Sequence, residues 1–295
     1  MAMLLPALLM VLASVANSKS EDACVYHLHM PKCAGTFVWR FFKGRFCATE
    51  AAICGRQSLR PPPHCRCVVN PISDDAQIRR AIQRGAQFSG AAYRFVSAHS
   101  LADLGASTRC AAATWLREPT ARVRSHWGYN RYKRGRNVTR LSALYADRAA
   151  LRKESWASNQ QWNLLMGRAP SAQTPSAAEL AVRHDEGSAA WDAAPLQAAR
   201  AKIASLAFVG IVEDMQPSLC LFARSFLAAH VAELCGPQAP GQAKENAAVR
   251  RRDDGDAVES AAIARFNRYD AALYILAKED YTRRLATAGM ETNPT

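Results

Sequence analysis

The stretch from Val25 to Phe42 reads VYHLHMPKCAGTFVWRFF and contains a short apolar segment, a loop and an aromatic-rich segment in immediate succession. The apolar segment, Val25 to Met30, has the length and composition of a buried strand, and Pro31 ends it. Gly35 permits a tight turn, and Thr36 is a suitable N-cap for a helix over the aromatic residues. The stretch therefore predicts a strand, a loop and a helix.

The predicted loop has the features of an anion-binding site. The amino terminus of the following helix supplies N–H groups and the positive end of the helix dipole, and Lys32 lies beside them. The sequence is not that of a Walker loop, G-x-x-x-x-G-K-[ST], because Lys32 precedes Gly35 instead of following it. We therefore expect a phosphate or sulfate group to bind here.

More strands and helices are predicted along the chain, and no repeat or linker divides it. Segments typical of buried strands lie at 93–97, 111–116 and 206–212. Helical features lie at 74–84, 120–132, 156–166, 216–233 and 257–285. Strands separated by helices predict an α/β fold with a central parallel sheet and flanking helices. Lys32, His99 and Arg117 each follow a predicted strand, so we expect them to converge at the carboxyl edge of the sheet.

Two motifs resemble those of the carbohydrate sulfotransferases, which use 3′-phosphoadenosine 5′-phosphosulfate (PAPS). HMPKCAGT, at 29–36, is similar to the loop that holds the 5′-phosphosulfate in that family, and LREPTARVRS, at 116–125, is similar to its 3′-phosphate element. Weaker co-linear matches lie at 95–99, 159–161, 208–214 and 267–274. The chain looks most like the Golgi polysaccharide sulfotransferases, which include the heparan sulfate 2-O- and 6-O-sulfotransferases.

The resemblance implies a P-loop-like sulfotransferase fold over residues 21–295 and transfer of a sulfuryl group from PAPS to a glycan hydroxyl by in-line displacement. In this interpretation Lys32 stabilises charge on the leaving oxygen and His99 is the general base, because imidazole titrates near neutral pH. No metal is implied. The implied cofactor-binding residues are Lys32, Cys33, Ala34, Gly35, Thr36, Arg117 and Ser125.

The phosphate-binding assignments have structural alternatives. Lys32 is otherwise one surface lysine among many, and Thr36 is otherwise only an N-cap. Arg117 otherwise pairs with Glu118 to hold a strand–helix corner. Arg122 either joins Arg117 on the phosphate or pairs with Glu118.

The catalytic and acceptor-binding assignments also have alternatives. A single histidine is often structural, in which case Glu118 or His126 replaces His99 as the candidate base. Cys33 is interpreted as loop packing and not as a nucleophile. Trp156 and Trp162 either stack on sugar rings or belong to the core, and their helical spacing favours the core.

Two other functions use the same sequence features. One is a nucleotide-dependent phosphotransferase, although Walker spacing and an obvious magnesium carboxylate are missing from the sequence. The other is a catalytically inactive glycan-binding protein of the same fold. The acceptor is predicted to be an acidic or neutral glycan.

The charge of the chain favours anionic partners. Lys and Arg number 38 against 25 Asp and Glu, so the formal net charge is +13. Nucleic acid, acidic polysaccharide and anionic membrane are all attracted by such a surface. Because no RRM, zinc-finger or helix-turn-helix signature occurs, we do not expect nucleic acid as a partner.

Residues 1–20 have the features of a targeting segment. The apolar run from Leu4 to Val15 is shorter than the ~20 residues that a membrane span needs. This favours a cleaved signal peptide over a short signal anchor, with membrane association through the amino terminus as the alternative. We expect a protein of the secretory pathway, in the Golgi lumen or secreted.

Secretory entry affects how the nine cysteines are interpreted. No Cys/His set has zinc-ligand spacing. Cys220 and Cys235 are expected to pair, and Cys33 is the candidate for the unpaired cysteine. A disulfide-stapled loop is predicted from Cys47, Cys54, Cys65 and Cys67. Residues 137–139, Asn-Val-Thr, form an N-glycosylation sequon.

Overall fold

The structure is a computed structural model, and it describes residues 25–35, 37–38, 53–54, 67–69, 95–98, 111–133, 140–154, 156–166, 193–236 and 257–290. Several predictions fall outside these residues. They concern the targeting segment at 1–20, the helix at 74–84 and the sequon at 137–139. Thr36 and His99 also lie outside the described residues.

The described strands form one parallel sheet. The six strands lie in the order β2-β3-β4-β1-β5-β6, and every ladder between neighbours is parallel. The prediction of an α/β fold with a central parallel sheet is thereby confirmed. The strand bounds are β1 Val25–Leu28, β2 Ile53–Cys54, β3 Cys67–Val69, β4 Phe95–Ala98, β5 Ala111–Leu116 and β6 Phe208–Ile211.

Besides the short helical segment after β1, nine α-helices accompany the sheet in the described part of the chain. A π-helical turn, Tyr129–Lys133, directly follows α1. The bounds are α1 Pro119–Gly128, α2 Leu141–Ala146, α3 Arg148–Lys153, α4 Gln160–Leu165, α5 Ala193–Ser205, α6 Met215–Phe226, α7 Val231–Cys235, α8 Ala257–Phe266 and α9 Arg268–Thr287.

Several predicted elements differ from the observed ones. The strands β2 and β3 lie where the sequence predicted only a cysteine-rich loop. The single helices predicted at 216–233 and 257–285 are each interrupted, at Leu227 and at Asn267. The helix predicted from Trp156 begins only at Gln160. At Asn267, the side chain of that residue donates to the carbonyl of Ala157, more than a hundred residues earlier in the chain.

In the described part of the chain, the main apolar cluster includes side chains of β1, β5 and β6. Trp115 of β5 contacts Phe208 of β6 and Phe222 of α6, with ring centroids 4.8 Å and 5.2 Å apart. Gly210 leaves space for the indole, because a Cβ there would lie 2.4 Å from Nε1 of Trp115. A second apolar cluster joins α1, α2, α3 and α8. Trp156 and Trp162 are both buried, so the prediction that they belong to the core is confirmed.

The cysteines that the structure describes agree with two predictions. A disulfide joins Cys220 of α6 to Cys235 of α7, and Cys33 is free and buried. The cysteine-rich loop is described only through the backbone of β2 and β3. None of the described helices is long and apolar enough to cross a membrane.

The strand order defines where a ligand site is expected. From β1 the chain goes to β2 at one edge of the sheet, whereas from β5 it goes to β6 at the opposite edge. This strand order has its switch point at the adjacent strands β1 and β5. In open parallel sheets, ligands bind at such a switch point.

Candidate functional site

The loop after β1 has an unusual backbone. Lys32 and Ala34 both have left-handed conformations, with φ of 65° and 57°. Non-glycine residues in this region are strained and cluster at ligand-binding sites. The N–H of Cys33 donates to the carbonyl of Met30 at 3.2 Å, and the N–H of Val38 donates to the carbonyl of Ala34 at 2.9 Å.

These bonds correct the prediction for the start of the helix. Gly35 is already helical, and Ala34 provides the first acceptor carbonyl. The described helical residues therefore begin at Gly35, before the position at which the sequence predicted the N-cap. The first acceptor carbonyl lies two residues before the predicted N-cap, and the helix N-terminus lies directly after Lys32 and Cys33.

Gly35 is required for a different reason from the one expected. It is a helical residue, so the turn does not depend on its conformational freedom. A Cβ at this position would lie 1.8 Å from Cδ2 and 1.9 Å from Nε2 of His29. Gly35 therefore allows the imidazole of His29 to lie against the first turn of the helix.

Lys32 lies close to an aromatic ring at the end of α1. Its Nζ is 4.3 Å from the ring centroid of Tyr129, the first residue of the π-helical turn. This distance is that of a cation–π contact. Single π-turns within or after α-helices are frequent at functional sites. The sequence contained no signal for this partner.

Arg117 joins the end of β5 to the loop after β1. Its Nη1 donates to the carbonyl of Lys32 at 3.1 Å. Its Nε lies 3.9 Å from Oε1 of Glu213, which follows β6. The expected convergence of Lys32 and Arg117 is therefore observed, and Glu213 brings a third strand end to the same place.

Glu118 does not pair with either arginine of the motif. Its Oε1 accepts from the N–H of Thr120 at 2.9 Å, and its Oε2 accepts from the N–H of Ala121 at 2.6 Å. Glu118 is thus the N-cap of α1. The alternative pairings of Glu118 with Arg117 or Arg122 are wrong, since the helix N-terminus holds both carboxylate oxygens.

Arg122 is a structural residue and does not reach the strand ends. It is fully buried, and its Nε lies 3.5 Å from Oδ2 of Asp270, which is also fully buried. Its Nη1 donates to the carbonyl of Trp156 at 2.9 Å and to Oε1 of Gln160 at 2.7 Å. The prediction that Arg122 joins Arg117 on a phosphate is therefore wrong, because its donors are directed inward.

Asp270, the ion-pair partner of Arg122, also caps the N-terminus of α4. Its carboxylate accepts from the N–H groups of Gln161 and Trp162, at 3.2 Å and 2.7 Å. Burial raises the pKa of Asp270, and the Arg122 guanidinium together with these two N–H donors opposes that rise. The carboxylate is matched by a charge and by hydrogen bonds, as a buried ion pair requires.

Two asparagines complete the group. Oδ1 of Asn159 accepts from the N–H groups of Tyr269 and Asp270, both at 3.1 Å, and so caps α9. Oδ1 of Asn267 accepts from the N–H of Asn159 at 3.0 Å. We call Arg122, Asn159, Asn267 and Asp270 the polar network. The weaker sequence matches at 159–161 and 267–274 meet in it.

Gln161 connects the polar network to the strand ends. Its Oε1 accepts from the N–H of Arg117 at 2.9 Å, and its Nε2 donates to the carbonyl of Arg117 at 2.9 Å. The Cys33 thiol also donates to Oε1, at 3.2 Å. We call Lys32, Cys33, Gly35, Arg117 and Gln161 the strand-end corner.

Cys33 is poorly suited to act as a nucleophile. Burial raises the pKa of its thiol from 9.0 to about 12, with Arg122 and Arg117 opposing the rise. Nucleophilic attack requires the thiolate. The structure agrees with the prediction that Cys33 packs the loop.

The remaining candidate residues from the sequence are Ser125, His99 and His126. Ser125 lies on α1, one helical turn before Tyr129, and is half-buried. His99 follows Ala98, the last residue of β4, and Ala98 is in register with Leu28 of β1. His126 stacks on Trp156, with ring centroids 5.0 Å apart, which makes it a poor alternative to His99 as a base.

Glu213 was missed by the sequence reasoning, although it lies in one of the weaker matches. Its Oε1 accepts from the N–H of Glu118 at 3.2 Å, and its Oε2 accepts from the hydroxyl of Tyr274 at 3.0 Å. Burial and the Glu213 carboxylate raise the pKa of Tyr274. Glu213 thus holds the end of β6 against the start of α1.

Comparisons with known proteins do not identify a family for this chain. No protein-family model matches the chain, and no curated protein is significantly similar to it. Among the described residues, no group of three or more His, Cys, Asp or Glu is placed to hold a metal ion. The site that the structure defines is a corner at the carboxyl ends of β1, β5 and β6, where Lys32, Arg117 and Glu213 meet.

Proposed function

We propose that this protein is a PAPS-dependent carbohydrate sulfotransferase with the P-loop-like fold of that class. It would transfer a sulfuryl group to a hydroxyl of an acidic or neutral glycan. The observation that supports the proposal most is the 3.1 Å hydrogen bond from Arg117 to the carbonyl of Lys32. It joins the two segments whose sequences resemble the 5′-phosphosulfate loop and the 3′-phosphate element.

In the proposed reaction, the loop at 31–35 binds the 5′-phosphosulfate. The acceptor oxygen attacks sulfur in line, an O–S bond forms, and the bond between sulfur and the bridging oxygen breaks. Lys32 stabilises the charge that develops on that oxygen, which leaves with the nucleotide as 3′-phosphoadenosine 5′-phosphate (PAP). His99 accepts the proton of the acceptor hydroxyl.

Arg117 and Ser125 are the proposed ligands of the 3′-phosphate. The side chain of Arg117 is 13% exposed. A guanidinium carries five N–H donors in a planar fork, a geometry that suits a phosphate. Glu213 lies 3.9 Å away and would compete with an incoming phosphate. A phosphate dianion carries more charge than a carboxylate and binds arginine in two-pronged geometry, so it would displace this weak pair.

The first test is nucleotide preference. PAP carries a 3′-phosphate that ADP lacks, and it has one phosphate fewer at the 5′ position. The two ligands therefore distinguish binding at the 3′-phosphate site from binding at the 5′-phosphate site. We expect the native protein to bind PAP about 30- to 1,000-fold more tightly than ADP, equivalent to ~2–4 kcal/mol. Arg117→Ala should remove most of this preference and leave ADP binding nearly unchanged in calorimetric titrations.

Arg124→Ala is the matched control for Arg117→Ala. Arg124 lies in the same motif on α1, but it binds Ser260 and Glu259 of α8, away from the strand ends. This variant should keep the native preference for PAP. Equal affinities of the native protein for PAP and ADP would contradict the proposal.

The second test separates the enzyme from the two other functions. Incubation with radiolabelled PAPS and a panel of acidic and neutral glycans should give labelled glycan. Binding of PAP without transfer to any glycan would favour an inactive glycan-binding protein. Transfer of a phosphoryl group from a nucleoside triphosphate, with no use of PAPS, would favour a phosphotransferase.

A further inference from the structure

We infer that Gln161 is the positioning residue of the nucleotide site, holding Arg117 against the loop after β1. The inference rests on the proposed function, and it names a residue to which neither motif assigns a role. Gln161 is 1% exposed, so it acts through Arg117 and Cys33 and does not touch a ligand.

The side-chain amide of Gln161 binds the main chain of Arg117 as a residue of a neighbouring strand would. β5 ends at Leu116, and the side-chain amide of Gln161 then binds both the N–H and the carbonyl of Arg117, each at 2.9 Å. Two bonds from one planar amide fix the orientation of the Arg117 main chain. This arrangement needs a donor and an acceptor on the same side chain, which glutamate and methionine do not offer at neutral pH.

A third bond extends this control to the phosphate loop. The Cys33 thiol donates to the same Oε1 that accepts from Arg117. Arg117 in turn donates to the carbonyl of Lys32. The contacts form a closed ring from Cys33 through Gln161 and Arg117 to Lys32. A ring of this kind fixes the distance between the two proposed phosphate ligands, Lys32 and Arg117.

The backbone of Gln161 is itself held by the polar network. Its N–H donates to Oδ2 of Asp270 at 3.2 Å, and Asp270 pairs with Arg122. The amide is therefore placed by α4 before any nucleotide binds. A prearranged site loses less conformational entropy on binding, so we expect Gln161 to contribute to affinity through preorganisation.

Gln161→Met tests the inference, because methionine has similar length and cannot form the amide contacts. In folded variant protein, the ratio of PAP to ADP affinity should fall about 10-fold or more. This is the size of effect expected when the hydrogen bonds that orient the charged Arg117 are lost. Gln160→Met is the matched control. Gln160 binds Arg122 and not Arg117, so its loss should lower the melting temperature while the affinity ratio stays native.

A double-mutant cycle distinguishes positioning from general stability. If Gln161 acts through Arg117, then Gln161→Met should change the PAP to ADP ratio little in an Arg117→Ala background. A merely structural residue would lower both affinities alike in either background. If Gln161→Met does not reach the native fold, Gln161→Asn keeps a buried amide that is too short for both bonds, and the same fall in the ratio is expected.

The outcomes separate this inference from the proposed function. A native protein without preference for PAP overturns both. A native preference that Gln161→Met or Gln161→Asn retains in full overturns only the role of Gln161. An additive effect of Gln161→Met and Arg117→Ala on the ratio also overturns it, because the two residues would then act independently.

Discussion

The strand-end corner and the polar network each contain one arginine of the same motif, and the two arginines have opposite surroundings. Arg117 is partly exposed at the end of β5, with a carbonyl at 3.1 Å and a carboxylate at 3.9 Å. Arg122 is fully buried beside an equally buried Asp270 and also binds a carbonyl and two amide side chains. Five residues of sequence thus separate a candidate ligand-binding arginine from a structural one.

The difference separates polar residues that stabilise the fold from polar residues that are candidates for ligand binding. The polar network caps α4 and α9 and matches its buried charges internally, so its loss should affect stability. The strand-end corner is built on the network through Gln161 and holds Lys32 and Arg117 at the carboxyl ends of β1 and β5. Its loss should affect ligand binding and turnover. Substitutions in each region test this division.

The largest expected effect is on stability, from Arg122→Met. It leaves the Asp270 carboxylate buried without its charge partner, which typically costs ~3–5 kcal/mol. Urea unfolding should therefore show a strongly lowered midpoint. Arg124→Met is the control, because its ion pair with Glu259 is partly exposed and should be worth less than ~1 kcal/mol. Similar midpoints for the two variants would contradict the structural role of Arg122.

The second prediction concerns turnover and the proposed base, His99. If His99 is the base, His99→Ala should lower sulfuryl transfer by ~10²–10⁴-fold while the affinity for PAP stays within a few-fold of native. His126→Ala should retain turnover, since His126 stacks on Trp156. The measurement is steady-state transfer together with calorimetric binding. Near-native transfer by folded His99→Ala would assign His99 a structural role.

The third prediction concerns Gly35, where a new methyl group would overlap the His29 ring. Gly35→Ala should lower the free energy of unfolding by ~1–3 kcal/mol, as overpacking does. It should also weaken PAP binding, because the ring must move against the loop. His29→Ala removes the obstacle, so the double variant should recover part of the lost stability. No recovery would mean that the cost of Gly35→Ala lies elsewhere.

The smallest expected effect is a loss of folding stability at alkaline pH, caused by ionisation of Cys33. Its pKa is about 12 in the folded protein and 9.0 ordinarily, so the unfolded thiol ionises first as the pH rises. The folded state therefore loses stability above pH ~9, by about 1 kcal/mol at pH ~10. Cys33→Ala lacks this contribution. Its difference in unfolding free energy from the native protein should shrink between pH 7 and 10, and a constant difference would contradict the burial of the thiol.

Much of the fold could be predicted because its signals are local. β5 has the predicted bounds, and β1, β4 and β6 lie within a residue or two of the predicted segments. The strands β2 and β3 were missed because they are two and three residues long and lie in a segment rich in cysteine and proline. Such short strands exist through pairing with neighbours, which no local pattern reports.

The candidate site was predicted only in part. Lys32 and Arg117 follow apolar strands and could be identified from sequence, and their convergence follows from parallel topology. The partners of Arg122 could not, because Asp270 and Asn267 lie more than a hundred residues away and compete with the nearby Glu118. Glu118 caps its own helix, so the local pairing that the sequence favours does not form.

The sequence alone is enough to predict the parallel α/β class, the loop between β1 and the first helical turn, and the pairing of Cys220 with Cys235. These depend on apolar periodicity, on proline and glycine positions and on short sequence separations. The folded molecule was needed to see which arginine is buried, why Gly35 is a glycine, and that Gln161 binds the main chain of Arg117. Those features depend on which side chains from distant segments meet, and burial sets the energetic cost of leaving each polar group without a partner.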